Sequence, residues 1–203
     1  KISDGATPGG VIITTDGGDG ITWAAITDIN NAAGPEKVAI GSNAGTDVGG
    51  LAQGAGSIAI GSNAGNSSQN IESVAIGVNA GKTSQGEQSV AIGAYTAITS
   101  QGNSAVAIGD RAGATSQGVQ AVSLGARAGE TSQGTESVAI GLLAGKLNQG
   151  SQTIAIGSEA GRDDQGANGI ALGHESGLAD QAEFGIAIGE KAGRINQGIR
   201  GIG

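Results

Sequence analysis

The segment Gly77-Val-Asn-Ala-Gly-Lys-Thr83 comes closest to a phosphate-binding loop, in which glycine-rich backbone N–H groups and a lysine meet phosphate oxygens. It has three residues between its glycines where that loop needs four. The same register elsewhere reads Gly129-Glu-Thr131 and Gly161-Arg-Asp163, so Lys82 occupies a variable position. His174 is the single histidine and there is no cysteine, so neither a usual zinc site nor a thiol nucleophile can be assembled. The carboxylate pairs Asp16/Asp19 and Asp163/Asp164 could face a calcium ion. Neither has helix-loop-helix spacing or the Gly-Gly-x-Gly-x-Asp repeat, and both read as solvated turns. Asn66-Ser-Ser68 is a glycosylation sequon, meaningful only in a eukaryotic secretory setting. The expectation is a non-enzyme with no catalytic, cofactor-binding or metal-binding residue and no cofactor.

Three rows of residues recur at a fixed spacing instead. Thr83, Thr99, Thr115 and Thr131 share one register, and flat threonine arrays can bind ice. Leu147, Asp163, Ala179 and Ile195 interrupt that row, which makes ice binding the third-ranked reading. Gln69, Gln85, Gln101, Gln117, Gln133, Gln149, Gln165, Gln181 and Gln197 form a second row, whose stacked amides can hydrogen-bond to one another. The third row is Ala39, Ala59, Ala75, Ala91, Ala107, Ser123, Ala139, Ala155, Ala171 and Ala187. A uniformly tiny residue at an outward strand position suggests close approach of another surface, so these ten are expected to form the contact between identical chains. Tyr95, in a variable pair after an Ile-Gly, is the candidate receptor contact through sugar stacking; packing is its other use.

The element that positions these rows follows from the spacing. The Ile/Leu-Gly pairs end at Gly41, Gly61, Gly77, Gly93, Gly109, Gly125, Gly141, Gly157, Gly173 and Gly189: one interval of 20 residues, then eight of 16. A four-residue insertion within Thr46–Gly54 accounts for the longer first interval. Such a period signals a solenoid, and a 16-residue unit broken by glycines is too short for a helical hairpin. Each unit reads as two short strands and two tight turns. In Val74-Ala-Ile76 the alternation predicts that the two large residues share a buried face while Ala75 points the other way. Gly77 ends the strand, Ala80-Gly81 turns the chain, and Gln85-Gly86 makes the second corner. Parallel-strand spacing of ~4.8 Å gives ten coils a length of roughly 45–50 Å.

Composition agrees. Glycine supplies 41 of 203 positions, and Trp23, Tyr95 and Phe184 are the only aromatics. An interior of small aliphatics this thin argues for association with identical chains. The net charge of −8 disfavours nucleic acid, and no apolar run reaches the ~18 residues of a membrane helix.

The string Ser73-Val-Ala-Ile-Gly77, recurring at Ser89–Gly93 and Ser137–Gly141, resembles the head repeats of YadA-type trimeric autotransporter adhesins. The resemblance covers about residues 37–203. It implies a left-handed parallel β-roll with three chains side by side around one axis. The family's repeat is usually 14 residues; this one has 16, with an added Gln-Gly corner, and similar longer repeats occur in fibre proteins of phages and large viruses.

Residues 1–36 lie outside the repeat. Val11–Thr15 and Ile21–Ile26 flank a glycine-rich turn and read as a β-hairpin. Trp23 would cap the first coil. The run Thr14-Thr-Asp-Gly17 through Ile21-Thr-Trp23 resembles a segment of phage tail-fibre and virion-fibre proteins. Lys1 and the Ile199-Arg-Gly-Ile-Gly203 end suggest a piece of a longer chain. The expectation is therefore an all-β solenoid homotrimer, with a 1–36 cap and a 37–203 roll. Its expected role is a structural segment of a phage tail fibre or virion appendage, outside the cell, that helps attach to a host. Its partners would be itself and a cell-surface glycan or protein receptor, without nucleic acid or membrane insertion. The alternative is the head of a bacterial trimeric autotransporter adhesin.

Overall fold

A computed structural model describes residues 37–46 and 53–203. The expected hairpin over residues 11–26, the Trp23 cap and most of the Thr46–Gly54 insertion lie outside these. Among the described residues there is no helix; the chain winds as a parallel β-solenoid. Ten three-residue strands, from Val38–Ile40 to Ile186–Ile188, form one sheet, here the alanine sheet. Eight more, from Ser67–Gln69 to Ala179–Gln181, form the glutamine sheet. Each strand pairs in parallel with its counterpart one coil away, in unbroken register: Val74, Ala75 and Ile76 on Val90, Ala91 and Ile92. The turns are laddered too, with Asn79 N donating to Ser62 O at 2.9 Å and Gln88 N to Ile71 O at 3.0 Å.

Two glycine positions make this stacking feasible. Gly77 has φ +130°, and a Cβ there would stand 2.3 Å from the carbonyl oxygen of Gly93 in the next coil. Gly81 has φ +52°, and a Cβ would meet Gln85 Oε1 at 2.5 Å. Each coil also holds non-glycine residues at positive φ: Asn79 (55°), Ser84 (56°) and Gln88 (54°). Ser84 is the middle of the strand Thr83–Gln85, which explains why only its flanking residues pair along the glutamine sheet.

The interior overturns the expected facing of the Val-Ala-Ile strand. Ala39, Ala59, Ala75, Ala91, Ala107, Ser123, Ala139, Ala155, Ala171 and Ala187 are buried inside their own chain, and Ala75 Cβ faces Gly81 across the lumen. They are therefore not a surface through which a second chain could pack. Val74 and Ile76 point outward and are half-buried, each flanked by its counterparts in the coils above and below. The reason is space. The lumen already holds Ala80, Ser73 and the whole Gln85 side chain, which leaves room for a methyl group and not for a branched aliphatic.

The glutamine row does more than stack. Gln85 Nε2 crosses the lumen to donate to Val74 O at 2.7 Å, and the same bond recurs from Gln53 to Gln197. Amide-to-amide bonds join Gln101 to Gln117 and run continuously from Gln149 through Gln165 and Gln181 to Gln197. Ser123 breaks the alanine row for a visible purpose: its hydroxyl donates to Gln133 Oε1 and accepts from Gln117 Nε2. Each Gln is thus a cross-brace between the two sheets. Gln85 is a strand residue, so the second corner begins at Gly86 and not at Gln85.

Candidate functional site

With the interior filled, two outer surfaces remain that could do something. The first is the outside of the alanine sheet. Twenty aliphatic side chains, two per strand, stand there in two columns, one running from Val38 to Ile186 and the other from Ile40 to Ile188. Ile40, Leu124, Ile154, Leu172 and Ile188 are exposed outright. The β-branched residues suit the pleat, and coil-to-coil stacking holds them in straight lines. A continuous apolar face of this kind on a soluble protein marks a contact surface.

The second surface is the turn that follows that sheet. Its left-handed position is filled in successive coils by Asn43, Asn63, Asn79, Tyr95, Arg111 and Arg127, and then by Leu143, Glu159, Glu175 and Lys191. The three asparagines bond along the axis, Asn43 Nδ2 to Asn63 Oδ1 at 3.2 Å and Asn63 Nδ2 to Asn79 Oδ1 at 3.4 Å. Tyr95 is exposed, and the Arg111 guanidinium lies over its ring at 5.9 Å from the centroid. Arg127 follows one coil on, its Nε 3.9 Å from Glu130 Oε1, a weak pairing. Tyr95 was legible as a candidate contact and Arg111 as part of another variable pair after an Ile-Gly, but neither Arg111 nor Arg127 was lined up with Tyr95. The signal for them is plain in the sequence, since they stand 16 and 32 residues after Tyr95.

The other residues considered for chemistry are placed apart from one another. The backbone amides of Gly77, Asn79, Ala80, Gly81 and Thr83 all donate to backbone carbonyls, so most of the segment around Lys82 is committed to the ladder between coils. His174 is exposed and lies 3.6 Å from Glu175. Arg194 bonds Glu175 at 2.7 Å and holds its carboxyl below the usual range. Asp163 is engaged by Arg162 at 2.8 Å, a contact that raises the already high guanidinium pKa, while Asp164 accepts from Asn148 at 2.8 Å. Among the described residues no group of three or more His, Asp or Glu could hold a metal ion. Thr83, Thr99, Thr115 and Thr131 do align in one column of the glutamine sheet, continued by Leu147 and Asp163.

Residues 51–64 and 68–96 match two copies of the YadA head domain repeat. No curated protein and no solved structure matches the chain.

Proposed function

We propose, from the premise that this chain carries YadA-type head repeats, that it is a non-enzymatic, surface-displayed homotrimeric head segment of an adhesin. It holds a binding surface away from its anchorage as a stiff rod. The observation that carries this reading is the two-column Val/Ile face outside the alanine sheet. Each coil presents two large aliphatics there in line with those above and below, and covering them with identical chains removes apolar surface from water at roughly 25 cal/mol per Å². The contact between chains is thus assigned to Val74, Ile76 and their counterparts and not to the buried alanine row. The virion-fibre reading draws on residues 14–23, which the described residues do not include. The adhesin head draws on the repeats themselves.

Light scattering coupled to size exclusion tests the assembly. The expected mass is about three times 19.3 kDa. Replacing Ile76, Ile92 and Ile108 by Asp should shift it to one chain, because three carboxylates cannot be buried unpaired. A wild-type chain that is folded and monomeric would sink the trimeric head.

A further inference from the structure

We propose that Tyr95, Arg111 and Arg127 form a binding strip for an acidic saccharide, one bearing a carboxylate or sulfate beside an apolar sugar face. This names the ligand class of the head proposed above and rests on that reading. The argument begins with the backbone. The left-handed turn position suits asparagine, and three coils use it there. The seven coils that follow hold Tyr95, Arg111, Arg127, Leu143, Glu159, Glu175 and Lys191 there at φ 53–59°, so the position accepts varied side chains, and an aromatic followed by two arginines occurs in it once among the described residues.

Geometry supplies the rest. Arg111 N donates to Ala94 O and Arg127 N to Asp110 O, so the backbone ladder fixes the three residues one coil apart. A ring and two guanidinium groups then fall within ~10 Å along the axis, the span of a disaccharide. The stack of Arg111 on Tyr95 orients the guanidinium, and among the described residues Arg111 has no ion pair. Its forked N–H donors match a carboxylate or sulfate. Ala94 and Ala126 in the adjoining column are small and leave the strip open. Asp110 and Glu130 flank the arginines, so the local charge is balanced and the strip is not a general anion trap. A ligand must offer both the anion and a face for the ring. Arg200 over Phe184 at 5.6 Å repeats the stack at the other corner, outside the column of Tyr95, and it serves as an internal control.

The test is titration calorimetry of the intact protein with a heparin-derived tetrasaccharide, a sialylated trisaccharide and neutral lactose, with mass measured on the same samples. At least one acidic sugar should bind and lactose should not. Arg111→Ala and Arg127→Ala should each weaken binding about tenfold or more, as loss of a charge-assisted hydrogen bond does. Tyr95→Ala should weaken it as well, whereas Phe184→Ala and Arg200→Ala should leave it unchanged. All variants must keep the wild-type circular dichroism. Three results would overturn the strip: no acidic sugar binding to protein of trimer mass, binding that survives the Arg111→Ala/Arg127→Ala double variant, or equal loss in Arg200→Ala. A monomer mass counts against the trimeric head and leaves the strip to the binding data.

Discussion

Single residues decide whether one coil can lie on the next. Gly77 and its counterparts combine a φ that side chains avoid with a backbone carbonyl directly overhead. Gly77→Ala is expected to cost roughly 2–4 kcal/mol, because strain and collision act together and the obstacle is backbone. The chain contains the opposite experiment. Ala97 has φ 45° at a position that is Gly81 and Gly113 in the neighbouring coils. Beside it Thr96 replaces the usual alanine and turns its hydroxyl onto Gly109 O. Ala97→Gly should therefore stabilise the fold by about 0.5–1 kcal/mol, less than the full left-handed penalty because glycine also loosens the unfolded chain. Thermal unfolding of the two variants beside wild type checks both signs.

At the scale of the coil, contacts pass only to the neighbours above and below, so one coil is a removable part. Deleting residues 106–121 joins Ala105 to Val122 and keeps every column in phase. The product should fold with a rod shortened by ~4.8 Å. Deleting residues 106–113 joins Ala105 to Ala114 and throws Gln117 out of its row; that chain should lose its cooperative melt. Solution scattering and circular dichroism distinguish the two. The same phase made the fold legible in advance: the period, the strand end at Gly77 and the Gln85 row were all readable from spacing. The facing of Val74-Ala-Ile76 was not. Alternation says which residues share a face, and the usual rule places the larger pair inside. That rule assumes a core wide enough to receive them. Here the lumen was already occupied by Gln85, Ala80 and Ser73, residues that look like surface when read singly. The site was half legible for a related reason. Tyr95 stands out by type, but Arg111 comes over its ring, and Arg127 into the same column, only once the chain is wound.

For the molecule as a whole, the outward aliphatics and the inward amides divide the work. Amide cross-braces give a single chain a defined cross-section, and the apolar columns stay at its surface. The described coils carry a long uncharged seam, and in the head proposed above identical chains would meet there by shape more than by charge. The direction of its hydrogen bonds has a mechanical side. The backbone bonds between coils lie along the axis, so a pull on the two ends of a chain passes through every coil in series and opens an end coil first, because that coil has a neighbour on one side only. When that coil yields, its 16 residues pay out roughly 55 Å where they had spanned ~4.8 Å. Force spectroscopy on one chain should show steps of about that difference. Used as the spacer proposed above, such a chain would meet a sudden drag by lengthening coil by coil, and the grip at its far end would feel a capped load while the drag lasts.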